Sequence, residues 1–153
     1  MVLQIDVETY KMTQIANLAR HAWQLIKGDT QISITKAEKP EYLAIEGNDV
    51  PYKALADGKG WIKVIAGAFE DLTSLIPNYS EQFLYHIHLE PGMVFSIDPA
   101  DKLEVAIYLP EQPAIINDEK FNAGDFIEYD RNAGTIELNN ENQEACDFIL
   151  FGG

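Results

Sequence analysis

From residue 41 onward the hydrophobic positions fall in short runs, most of them alternating with polar ones, and each run stops at turn chemistry. "EYLAIE" leads into Gly47-Asn48-Asp49, and "WIKVIAG" follows Asp57-Gly58-Lys59-Gly60. "FLYHIHL" ends at Pro91-Gly92, "KLEVAIYL" at Pro110, and "DFIEYD" at Arg131-Asn132-Ala133-Gly134, with "TIEL" and "DFILF" completing the series. A period of two sends alternate side chains to opposite faces of a sheet, so each run reads as a half-buried strand. Many short strands separated by Gly, Pro and Asn predict a mainly β domain, an antiparallel sandwich or small barrel.

The period changes upstream. In "KMTQIANLARHAWQLIK", residues 11–27, Met12, Ile15, Leu18, Ala22 and Leu25 recur at helical spacing and Gly28 offers a stop. A helix is the first reading. A hairpin around Lys27-Gly28-Asp29-Thr30, with Ile32 and Ile34 alternating in its second strand, is the other.

Within "FLYHIHLEPG" the alternation separates chemistry from packing. Phe83, Tyr85, Ile87 and Leu89 form one face, and His86, His88 and Glu90 the other. Two imidazoles and a carboxylate side by side could ligate a metal, or they could be the polar outer face of a half-buried strand. His21 is the third histidine, and nothing in the sequence brings it near.

Composition and charge narrow the classes of function. A chain of 153 residues, 46% hydrophobic, is long enough for one domain with its own core, and no apolar run approaches the length needed to span a bilayer. The first residues lack a basic and then apolar leader pattern, and Cys146 is the single cysteine; a cytoplasmic protein is expected. Of the net charge of −14, residues 1–63 contribute nothing, with 8 basic and 8 acidic side chains, whereas residues 64–153 carry 3 basic and 17 acidic. Such a surface repels phosphate backbones and anionic lipid headgroups, so no nucleic acid or membrane is expected as partner, while a basic protein remains compatible.

Other catalytic patterns are weak. Ser74, Ser80 and Ser96 lack a Gly-x-Ser-x-Gly setting, Cys146 is followed by an acid that raises a thiol pKa, and "ADGKGW" lacks the Gly-Lys-Ser/Thr order of a phosphate loop. Trp23, Trp61 and Tyr108 read as core or interface aromatics.

"VPYKALADGKGWIKVIAG", "FLYHIHLEPG", the spaced "AIYL" and "NAGD" and the terminal "FILFGG" together resemble the C-terminal half of pirin-type bicupins, in order and spacing across about residues 40 to 153. "QISITKAEKPEY" resembles the crossover that leads out of the first barrel in that family. The resemblance implies a cupin-like double-stranded β-helix, or jelly-roll barrel, over residues 41–153, preceded by an N-terminal helical or hairpin arm and crossover over residues 1–40. In that family the iron-type site, three histidines and a glutamate, belongs to the first barrel, which this sequence does not include.

Laying the metallo-cupin pattern on this sequence puts Ser96 and Asp98 near its His pair, Glu104 at its glutamate and Glu137 near its last histidine. None of these positions is a histidine, and an all-oxygen set suits a hard cation rather than iron, copper or zinc. The His86-His88 pair precedes the Pro-Gly turn, whereas a cupin's ligands follow it. No cofactor is therefore expected; if a divalent metal binds, His86, His88 and Glu90 are its ligands, and a ligand pocket, if open, is lined by Phe95, Ile97, Glu104, Tyr108 and Glu137. The expected function is a non-catalytic, metal-free binding or assembly module that forms a homodimer or engages a protein partner. The alternative implied by quercetinase-active relatives is a metal-dependent dioxygenase acting on an enolic aromatic substrate.

Overall fold

A computed structural model describes residues 45–55, 58–77, 81–99, 104–129 and 134–153. The arm, including the helix or hairpin expected at 11–27, and His21 lie outside the described residues.

Twelve strands form in the described residues: β1 (Tyr52–Ala54), β2 (Gly60–Ala66), β3 (Ala68–Phe69), β4 (Leu72–Thr73), β5 (Phe83–Leu89), β6 (Val94–Ile97), β7 (Val105–Tyr108), β8 (Ala114–Ile116), β9 (Glu119–Phe121), β10 (Phe126–Tyr129), β11 (Ile136–Asn139) and β12 (Cys146–Gly152). A six-stranded sheet runs β1-β2-β5-β12-β7-β10, a four-stranded sheet runs β6-β11-β8-β9, and β3 and β4 form a small ribbon. Every pairing is antiparallel, and strands distant in sequence lie side by side: β12 sits between β5 and β7. This mainly β jelly roll is the architecture expected. One expected strand differs: Ile45 and Glu46, the end of "EYLAIE", lie outside any strand, because a turn closes there through Asp49 N–H to the Glu46 carbonyl at 3.0 Å. The edge strand is Tyr52–Ala54 instead.

The core lies between the sheets and is built by the period-two faces. Ile62, Val64, Ile87, Leu89, Ile107, Leu138, Phe148 and Leu150 are among its members, all with no exposed surface. Burying each such side chain contributes about 1.5–3 kcal/mol before the entropy of ordering is subtracted. A second, smaller cluster of Val50, Ile65, Leu84 and Ile149 packs on the outer face of the six-stranded sheet, with Ile45, Ile76, Tyr108 and Phe151 against it.

Two features tie the barrel together. A bulge between Val64 and Ala66 shifts the β2–β5 register, and Gly67 beyond it adopts φ +80°, with only 2.4 Å between an ideal Cβ and the Gln82 carbonyl. At the opposite end, buried Asn140 donates from Nδ2 to the carbonyls of Leu89 (2.8 Å) and Glu144 (2.9 Å), while its backbone bonds Met93 and Gly92. One side chain thereby fastens the Pro91-Gly92 turn to the loop before β12, and its buried amide is satisfied rather than costing free energy.

Candidate functional site

Beyond Leu84, the outward face of β5 carries the polar side chains His86 and His88, set by alternation, and the neighbouring strands extend the row sideways. Across the ladders, Ala54 pairs Trp61, Trp61 pairs His88, and His88 pairs Asp147. The next row runs Tyr52, Lys63, His86, Ile149, Tyr108 and Phe126, one residue from each strand of the six-stranded sheet.

In these rows the two histidines meet one carboxylate oxygen. His86 Nε2 lies 2.8 Å and His88 Nδ1 2.9 Å from Asp147 Oδ1. An ionised carboxylate only accepts, so each of these nitrogens carries a proton and donates to it, whether the ring is neutral or charged. Trp61 stacks on His88 with centroids 5.0 Å apart and planes 7° apart, and meets His86 edge-on at 4.7 Å. Lys63 Nζ stands 5.1 Å from the Trp61 ring centre and donates to the Gly47 carbonyl at 3.2 Å. Glu90 Oε1 is 3.6 Å from His88 Nε2.

The electrostatics follow from this packing. Burial pushes the Asp147 carboxyl up, but hydrogen bonds from His86 and His88, with their charges, outweigh it and hold the group below the usual aspartate value. Next to it, Cys146 is pushed up to about 12 by burial and then by the Asp147 charge, so it is neither a nucleophile nor a thiolate ligand at neutral pH. Tyr85, whose hydroxyl donates to the Ala68 carbonyl, is raised to about 12 by burial.

Chemically, the cluster is a hydrogen-bonded unit in which one carboxylate oxygen takes a proton from each of two rings. Among the described residues no group of three or more His, Cys, Asp and Glu side chains is arranged to hold a metal ion. Sequence reasoning paired His86 and His88 with Glu90 and missed Asp147 as their common acceptor. The signal was present in "CDFILF", where inward Cys146, Phe148 and Leu150 force Asp147 outward. Its neighbour strand, 59 residues earlier at His88, was not legible.

Comparison with solved structures supplies the frame. A quercetin 2,3-dioxygenase from Acinetobacter baumannii superposes with a TM-score of 0.68 at 23% identity, over 74% of this chain and 39% of its own. A protein of Geobacillus kaustophilus gives 0.67 at 17% identity, over 77% and 48%. A sugar phosphate isomerase from the cupin superfamily of Silicibacter pomeroyi gives 0.52 at 10% identity, over 72% and 74%. The fold is that of the cupins. The chain spans less than half the length of the first two of these proteins. No family model and no curated protein matches the sequence.

Within the cupin barrel, the expected pocket residues fall on three surfaces. Ile97 is in the core between the sheets and Phe95 packs against it. Tyr108 joins the outer cluster of the six-stranded sheet, on the same alternate face of its chain segment as Glu104, because Val105 and Ile107 take the inward positions. Glu137 is exposed between buried Ile136 and Leu138, on the outer face of the four-stranded sheet opposite Ser96. The structure does not bring the five together.

The same placement tests the iron-type set that the cupin family implies. Ser96, Asp98 and Glu137 are exposed, and Glu104 takes the outward position before Val105. Among the described residues, the hydrophobic cluster between the sheets carries no polar side-chain groups beyond the Cys146 thiol and the hydroxyls of Tyr85 and of Tyr129 packed against it. These residues do not fit an iron, copper or zinc ion held inside the barrel.

Proposed function

We propose that this chain is a pirin-like cupin module of the cytoplasm that works by binding or assembly, without metal and without catalysis of its own, as a homodimer. The observation that carries the reading is the mainly hydrocarbon interior: the four positions aligned with metal ligands turn away from it, and the described side chains that enter it are Ile, Leu, Val, Phe and Ala, with Tyr85 and Cys146. An oxygenase needs a redox metal that polarises a bound enolate, and among the described residues no ligand set for one faces the core. The polar chemistry of the barrel has moved outside, into the Trp61, His86, His88 and Asp147 cluster, where Asp147 uses the proton-bearing nitrogens of both rings.

The competing reading is a dioxygenase acting on a quercetin-like substrate, which the likeness to the Acinetobacter protein supports at the level of fold alone. Elemental analysis of protein purified without a histidine tag, combined with sedimentation at micromolar concentration, separates the two. The proposal expects far less than one equivalent of iron, nickel, copper or zinc and a mass of two chains. About one bound equivalent, with oxygen uptake on quercetin that is lost in the His86→Ala/His88→Ala variant, would replace it with the dioxygenase. A monomer would remove the assembly part of the reading.

A further inference from the structure

The row Tyr52, Lys63, His86, Ile149, Tyr108 and Phe126 crosses the whole six-stranded sheet on its outer side, and it is apolar or aromatic at four of six positions. The first described residues come in over this face. Val50 is buried against Ile65, Leu84 and Ile149, Ile45 packs on the same cluster, and Gly47 accepts from Lys63. They do not cover the ends of the row: Tyr52 is 63% and Phe126 48% exposed. The 44 residues that precede Ile45 are thus tethered at an apolar face.

Their composition complements it. Thr9 to Lys27 contains Lys11, Arg20 and Lys27 and no acidic residue, with Met12, Ile15, Leu18, Ala22 and Leu25 three or four apart. Residues 45–153 carry 20 acidic and 6 basic side chains, and Asp147, Glu104 and Glu128 take outward positions on the sheet in question. Reach is no obstacle: about 17 residues between Lys27 and Ile45 extend to roughly 55 Å, and six strands are about 24 Å across. A tethered segment meets the face at an effective concentration on the order of millimolar, well above that of a second copy at micromolar protein.

We propose that the outer face of the six-stranded sheet is the docking seat of residues 9–27 of the same chain. Apolar side chains of the segment cover half-buried Tyr108 and exposed Phe126, next to Ile149, which Val50 already buries, and its cations lie towards the acidic surface around them. The inference is independent of whether the chain dimerises. The seat is filled within one chain, and self-association then uses other surfaces.

Hydrogen exchange on the full chain tests it, with Tyr108→Lys/Phe126→Lys as the face variant and Val94→Lys, on the opposite sheet, as the control. Amides between residues 9 and 27 should exchange at least about tenfold slower than an unstructured chain in the native protein and in the control, and lose that protection in the face variant while β5 and β12 keep theirs. Arg20→Glu/Lys27→Glu should release the segment as well, without any change in the barrel should the face variant fail to fold. Unprotected amides in the native protein, or protection that survives both variants, would overturn the proposal. Protection that disappears on dilution together with a halving of mass would assign the seat to a second copy and overturn it too.

Discussion

Asp147 stands directly opposite His88 across the β5–β12 ladder, and its Oδ1 accepts from His88 Nδ1 at 2.9 Å. The same oxygen takes the proton of His86 Nε2, so one carboxylate fixes two rings that alternation alone would leave as separate surface groups. Removing it leaves two half-buried N–H donors without their acceptor. Asp147→Ala is expected to cost about 1–2 kcal/mol in urea unfolding, with the lower end favoured by partial solvent access. Asp147→Asn, which keeps an oxygen at the position, should lose less. A double-mutant cycle with His88→Ala measures the coupling, and a value indistinguishable from zero would show that the contact does not contribute.

The pH dependence of that contact has a defined sign. Asp147 lies below the ordinary aspartate value of 3.8 because the imidazole bonds outweigh burial. A depressed carboxyl contributes stability that is present above its unfolded pKa and disappears as pH falls through its folded one. The stability difference between the native protein and Asp147→Asn should therefore be full near neutrality and shrink only below about pH 4. Urea titrations at intervals from pH 7 to pH 3 follow it; a gap that widens below about pH 4 would contradict the assignment.

Strand identity was legible wherever alternation was clean. β5, β11 and β12 place Phe83, Tyr85, Ile87, Leu89, Ile136, Leu138, Phe148 and Leu150 inward, as their spacing demands, while Leu84, Ile149 and Phe151 take the outer face. Tyr108 shows where the same rule was available but not applied: counting back through Ile107 and Val105 puts it outside, away from Phe95 and Ile97. Two other features could not be read. Asn140 sits in a polar, Asn-rich run that looks like an exposed loop, and only tertiary closure around the Leu89 and Glu144 carbonyls buries it. The Asp147 cluster depends on β12 inserting between β5 and β7, a pairing over some 60 residues whose register no local pattern encodes.

Gly152, in the terminal "LFGG", is required by crowding rather than by backbone twist. An ideal Cβ there would lie 2.3 Å from the Glu104 carbonyl and 2.7 Å from the Phe83 ring. Both neighbours are fixed, one in the β7–β12 ladder through the Glu104–Gly153 bonds and one in the core. Gly152→Ala should destabilise by about 2 kcal/mol or more, in the range of overpacked cores. Gly47→Ala, where nothing lies within 4 Å, is the control and should change stability by less than about 0.5 kcal/mol. Equal midpoints for the two variants in thermal melts would mean that β12 can shift to accommodate the methyl group.

Cys146 offers a direct readout of how tightly β12 is held. Its side chain is fully buried, between Leu89 opposite on β5 and the Pro113 carbonyl 3.9 Å from Sγ, and its thiol is pushed up to about 12 by burial and the Asp147 charge. Reaction with a disulfide reagent needs thiolate and access, and the folded protein supplies neither at pH 7.5. Labelling should proceed only through opening of β12, slower than in urea-unfolded protein by a factor approaching the unfolding equilibrium constant, on the order of a thousandfold or more. Asp147→Ala changes the rate in two ways: it removes the adjacent charge that raises the thiol and weakens the strand that covers it. Both act to speed labelling, so this variant should react faster than Gly47→Ala under the same conditions, and a native protein that labels at the unfolded rate would place Cys146 at the surface.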